Sequence, residues 1–101
     1  MGDSLSAEYG LARGTGWVAL LEQRLRQDHP QYRVVNASVS GETTAGGANR
    51  LPALLAEHQP DLVILELGGN DALRGLPLDM TRRNLEAMAE MSRKARAQVV
   101  I

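Results

Sequence analysis

Leu62-Val63-Ile64-Leu65-Glu66-Leu67-Gly68-Gly69-Asn70-Asp71 is the stretch that decides the fold. Its first six residues are nearly all apolar and partly β-branched. That pattern reads as a strand over 62–67 buried on both faces, as in a parallel sheet covered by helices. The glycine pair marks the end of the strand and a turn. Asn70 and Asp71 then fall on a strand-to-helix loop, which in a parallel sheet lies on the carboxyl edge where ligands bind.

The same grammar repeats upstream. Arg33 to Val39 reads as a second strand, with Val34, Val35, Ala37 and Val39 apolar on both faces, and it runs into Ser38-Val39-Ser40-Gly41-Glu42-Thr43. Residues 15–28 read as an amphipathic helix with Trp17, Leu20, Leu21 and Leu25 on one face and Glu22, Arg24 and Gln27 on the other. Pro30 stops it. The stretch 43–58 is helical in character, with Leu51, Leu54 and Leu55 inward, and Pro52 is expected to break or restart it. Asp79 is the expected N-cap of a helix over 79–96 that turns Leu85, Met88, Ala89 and Ala95 inward. Gln98 to Ile101 begins another strand.

Alternation of helices and strands predicts an α/β fold with right-handed crossovers. The expected architecture is a three-layer α/β/α sandwich around a short parallel sheet of flavodoxin-like order, forming one partial domain over 1–101. Both ends read as truncated. Gly2-Asp3-Ser4-Leu5 has the character of a turn leaving a strand, and the last strand has no helix after it.

Composition bounds the rest. A chain of 101 residues suffices for one small domain, which buries roughly 65% of its unfolded surface. Tyr9, Trp17 and Tyr32 are the only aromatics, so the core falls to Leu, Val, Ile, Ala and Met. With a net charge of -1, the chain has no basic stripe for nucleic acid. Arg82, Arg83, Arg93, Lys94 and Arg96 share their helix with Glu86 and Glu90 and read as a solvated face. No apolar run reaches the roughly 20 residues of a membrane-spanning helix. Absence of cysteine excludes disulfides and thiolate metal sites. Gly41 to Gly47 lacks the spacing and the lysine of a phosphate loop. Asn36-Ala37-Ser38 matches a glycosylation acceptor but falls inside the predicted strand over 33–39.

In a flavodoxin-like order, the strand expected before Gly2 lies between the 33–39 and 62–67 strands. Ser4 then stands at the tip of a central strand, with Gly41 in the loop on one side and Asn70 in the loop on the other. These residue types suit acyl transfer. Ser4 offers a hydroxyl nucleophile. The backbone N–H groups of Ser4 and Gly41 and the side-chain amide of Asn70 offer donors to an oxyanion, each worth about 10²–10³ in turnover. Asp3 and Asp71 read as carboxylates bonded to nearby backbone, and Glu66 as a hydrogen-bonded structural carboxylate in an apolar strand.

Gly2-Asp3-Ser4-Leu5-Ser6, Val35 to Thr43, Arg50-Leu51-Pro52-Ala53-Leu54-Leu55 and Glu66 to Asp71 together resemble the SGNH, or GDSL, hydrolase superfamily. The similarity is closest to its bacterial arylesterase, acyl-CoA thioesterase I and lysophospholipase group, and it covers essentially the whole chain. The resemblance implies Ser4 as nucleophile, with Gly41 and Asn70 completing the oxyanion hole. It implies a mobile loop over Ala72 to Pro77 that brings Leu73 and Leu76 near the acyl chain. It implies a small-molecule acyl ester or thioester substrate, no metal or organic cofactor, and frequent export to the periplasm or beyond.

The sequence departs from that family in one respect. The family carries its Asp and His near the end of a chain of nearly twice this length, and no Asp-x-x-His pair occurs here. His29 and His58 end helices on the opposite edge of the sheet from Ser4, where a helix dipole favours them. A base must come within about 3 Å of the proton it removes. The chain by itself is therefore expected to turn over about 10⁴–10⁶ more slowly than a complete enzyme. The competing expectation is a non-catalytic partial domain that binds an acyl ester or a protein partner. A third is a nucleotide-binding α/β module.

Overall fold

The structure, a computed structural model, describes residues 1–10 and 14–101. Its elements are α1 (Trp17–Asp28), α2 (Thr44–His58), β1 (Leu62–Ile64), α3 (Gly69–Leu73), α4 (Leu78–Lys94) and β2 (Gln98–Val100). β1 and β2 pair in parallel, with Leu62 opposite Gln98, Val63 opposite Val99 and Ile64 opposite Val100. The crossover between them carries α3 and α4, as a parallel connection requires.

Beyond β1 the chain stays extended and changes partner. The Leu65 N–H donates to the Val100 carbonyl at 2.9 Å, and the Glu66 N–H donates to that of Met1 at 2.9 Å. Gly2 forms a parallel bridge with Glu66. On its other side, the Gly2 carbonyl accepts the Val39 N–H at 3.0 Å. The amino-terminal residues thus lie between the 39–41 and 64–66 tracks, flanked by a backbone bond on each side.

The core is small and sits between the ladder, α2 and α4. Leu51, Leu55, Val63, Leu65, Met88 and Ala97 form it, with Met1, Ala48, Leu67, Leu85, Met91 and Val99 at its margin. A fully buried residue such as Leu65 contributes roughly 1.5–3 kcal/mol by leaving water. α2 is well bounded: the Thr43 side chain accepts the Gly46 N–H at 3.2 Å at its start. At its end Gln59 turns left-handed (φ 45°) before Pro60.

Several expectations are corrected. Residues 33–39 form no strand; the segment is extended, and Val35 and Val39 are exposed. Among the described residues its one backbone bond to the neighbouring track is that of the Val39 N–H to the Gly2 carbonyl, too little to complete a ladder. Asn36 is accordingly not buried in a strand, although its side-chain amide donates to the Ser6 carbonyl at 2.8 Å. Pro52 does not interrupt α2: it lies on the exposed face, where the carbonyl that loses its amide partner can bond to water. Asp79 does not cap α4. The helix begins one residue earlier after Pro77, and Asp79 lies in its first turn. Ala95 is exposed beyond the helix end, and Ser92 takes the inward place, its hydroxyl donating to the Met88 carbonyl at 2.8 Å. On α1 Leu20 is exposed and Trp17 partly so, and Val18 is the residue the helix buries. Finally, Gly69 to Leu73, expected as loop, is a short helix; its glycine start hides the helical signal.

Candidate active site

The three polar loops named from the sequence leave neighbouring extended tracks on the same edge. Asp3 opens the first. Its side chain accepts the Leu5 N–H at 3.0 Å, while its carbonyl accepts the N–H groups of Ser6 and Ala7 at 3.1 and 2.9 Å. This Asx-type turn lifts Ser4 out of the sheet. Ser4 is half-buried, between buried Asp3 and exposed Leu5.

Gly41 stands two residues past the Val39–Gly2 bond, as Ser4 stands two residues past Gly2. Its φ of +79° is left-handed, which accounts for glycine there. Asn70 reaches the same turn from the third loop, its Nδ2 donating to the Glu42 carbonyl at 3.0 Å. The Arg74 guanidinium donates to the Gly41 carbonyl at 3.2 Å. Arg50 ties the turn from below, bonding the Glu42 carboxylate at 2.7 Å and the Ala37 carbonyl at 2.6 Å.

Among the described residues, neither the Ser4 N–H and hydroxyl nor the Gly41 N–H makes a hydrogen bond. An Asn side-chain amide has two donor hydrogens, and the bond to Glu42 uses one. These are donors left open on one edge of the molecule.

Asp71 lies directly behind Asn70 and is 2% exposed. Its carboxylate accepts the Thr44 N–H at 2.8 Å, the Thr44 hydroxyl, and the Thr81 hydroxyl at 2.8 Å. Asn84 completes the cluster by donating to the Thr44 hydroxyl at 3.1 Å. Burial by itself would raise the Asp71 pKa, but the bonds from Thr44 and Thr81 outweigh it and hold the carboxyl below the usual carboxylate range. The N-terminus of α2 and the first turns of α4 are pinned to the residue next to Asn70. Thr44, Thr81 and Asn84 had no sequence signal, because their partner is distant in the chain.

Leu73 is 86% exposed at the end of α3, and Leu76 is half-buried. His29 caps the carboxyl end of α1 and His58 ends α2. No helix is long and apolar enough to cross a membrane among the described residues. No group of three or more metal-ligating side chains is present among them either.

Residues 1–101 match the GDSL-like Lipase/Acylhydrolase family. Esterase TesA of Pseudomonas aeruginosa is 54% identical over the whole chain, which spans 50% of that protein. Thioesterase 1/protease 1/lysophospholipase L1 of Escherichia coli is 43% identical, again over the whole chain and 47% of the relative. A crystal structure of TesA superposes with a TM-score of 0.94 at 56% identity, covering 97% of this chain and 54% of that one. The chain thus spans about half the length of the curated relatives it matches, and its neighbours in structure include AlinE4, an SGNH-hydrolase family esterase. On the family match and on these relatives, the chain belongs to the GDSL-like lipase/acylhydrolase family.

Proposed function

We propose that this chain is the nucleophile-bearing part of a serine ester hydrolase, a partial SGNH domain over 1–101 that acts on small-molecule acyl esters or thioesters. The observation that supports the reading is that the loops bearing Ser4, Gly41 and Asn70 leave neighbouring tracks and are linked to one another. Their loops are tied by the Val39–Gly2 and Asn70–Glu42 bonds, and their outward donors are unused among the described residues. The lateral order of backbone bonds, from Val39 through Gly2 to Glu66 and on to β2, supports a flavodoxin-like sheet inside a three-layer sandwich.

In this reading the Ser4 oxygen attacks the acyl carbonyl carbon and its proton passes to a histidine base. The charge developing on the carbonyl oxygen meets the Ser4 N–H, the Gly41 N–H and the free Asn70 hydrogen. Collapse of the adduct breaks the C–O or C–S bond, the leaving alcohol or thiol takes the proton, and water then releases the acyl group from Ser4. Leu73 and Leu76 line the acyl path. The reading requires an Asp–His pair in addition to these residues; His29 and His58 stand at the carboxyl ends of α1 and α2 and are not assigned that role.

Extending the reading frame and expressing the complete product tests this. An Asp-x-x-His motif is expected downstream. The complete product should hydrolyse p-nitrophenyl esters, take up a fluorophosphonate at Ser4 alone, and lose about 10⁴–10⁶ of its turnover in Ser4→Ala. A complete product with no such motif and no labelling at Ser4 would establish the non-catalytic binding domain instead.

A further inference from the structure

Glu66 is a carboxylate on the strand edge directly behind the Ser4 turn, and acyl transfer as described makes no use of it. Its Oε1 accepts the Ser6 hydroxyl at 2.8 Å and lies 3.4 Å from the Asp3 amide. Ser6 is 2% exposed, and its oxygen accepts the Trp17 indole N–H at 2.9 Å. A chain of bonds therefore runs from α1 through Ser6 to Glu66 and grips the turn on both sides of Ser4. Gly2 shows how tight the packing is. A Cβ there would lie 2.5 Å from Ser6 Oγ and 2.9 Å from Glu66 Oε1.

We propose that Glu66 is a positioning residue for the nucleophile, setting the Ser4 turn by holding the Asp3 amide and the Ser6 hydroxyl, with Trp17 as the outer anchor of the brace. This rests on the assignment of Ser4 as nucleophile. The loop that carries a nucleophile must hold it to within a fraction of an ångström, and at Ser4 itself only the carbonyl is bonded, accepting the Tyr9 N–H at 3.2 Å, while its N–H and hydroxyl have no partner among the described residues. The brace supplies from outside the rigidity that the turn lacks.

The brace also carries a proton-sensitive element. Burial, together with the nearby Asp3 carboxylate, raises the Glu66 pKa above the usual glutamate value despite the bond from Ser6. The charged groups that face it are Asp3 from its own turn and the Met1 amino group from the adjacent track, with Arg50 of α2 beside Met1. Trp17 is the only tryptophan, so its indole proton reports the state of Glu66 through one intervening hydroxyl.

The test compares this chain with Glu66→Ala, Glu66→Gln and Ser6→Ala, each checked for folding by thermal unfolding. Nuclear magnetic resonance follows the Trp17 indole proton from acid to neutral pH and amide exchange at Asp3, Leu5 and Ser6. Mass spectrometry follows labelling of Ser4 by a fluorophosphonate over long incubation. In the parent chain the indole resonance should titrate with a midpoint above that of an ordinary glutamate. Glu66→Ala should speed exchange in the turn about tenfold while leaving α4 unchanged, and slow labelling. Glu66→Gln should restore turn exchange and labelling but flatten the titration, a rescue that simple loss of stability does not produce. Ser6→Ala, which keeps the carboxylate, should also erase the titration, and it carries the test if Glu66→Ala does not fold. A flat indole resonance in the parent chain overturns the proposal, and so does unchanged turn exchange in Glu66→Ala. An intact brace with no labelling of Ser4 in the complete product overturns the nucleophile assignment instead.

Discussion

α4 and α1 are both amphipathic in sequence, yet only α4 is firmly seated. α4 sets Met88, Ala89 and Ser92 against β1, β2 and α2, and Met88 is fully buried. α1 buries Val18 alone and leaves Trp17 40% and Leu20 55% exposed. A crevice of about 900 Å³, lined by Trp17, Val18, Leu21, Leu25, Val35 and Leu54 among others, lies on the α1 side. Helical periodicity tells which face of a helix is apolar. Whether a surface exists to receive that face depends on the neighbouring strand, and among the described residues the 33–39 segment makes a single backbone bond to the next track, Val39 to Gly2. The Ser4 turn sits on the seam between the two regions, tied to the firm side by Glu66 and to the loose side by Trp17.

The largest expected effect sharpens this contrast. Leu65→Ala or Met88→Ala should cost about 2–5 kcal/mol in urea unfolding, whereas Leu20→Ala should cost about 0.5 kcal/mol or less. Equal losses would erase the distinction between the two regions.

Asp71 tests the firm side through its polar cluster. Asp71→Asn should destabilise by about 1–3 kcal/mol at neutral pH. The folded pKa of Asp71 lies below the unfolded value, so its contribution is present above about pH 3.9 and is lost as pH falls through the folded pKa. Glu66 acts in the opposite sense. Its folded pKa is raised, so it removes stability as pH rises from about 4.3 through the folded value. Urea midpoints measured across this range should therefore lose their acid-side fall in Asp71→Asn, and the decline on the other side should vanish in Glu66→Gln.

On the loose side, Trp17→Phe removes the bond to Ser6 while keeping most of the ring. About 1 kcal/mol is expected from the unfolding midpoint. A loss equal to that of Leu65→Ala would place α1 in the core after all. The smallest effect belongs to the solvated face of α4. Lys94, 3.4 Å from Glu90 across one helical turn, should lose no more than about 0.5 kcal/mol on change to Ala, and salt should remove even that.

Local pattern was enough to determine the α/β class, the helices over α1, α2 and α4, and the three loops that bear Ser4, Gly41 and Asn70. Apolar runs, proline stops and glycine turns are properties of neighbouring residues, and they survive without knowledge of the rest of the chain. Tertiary structure alone decided how long each strand could be, because a strand exists only where another lies beside it. It also decided that Pro52 stays inside α2 by facing solvent, that Thr44, Thr81 and Asn84 gather around Asp71, and that Ser6 and Trp17 meet Glu66. Those bonds join residues from 10 to 60 positions apart, and a hydrogen bond across such a distance leaves no periodic trace in the sequence that makes it.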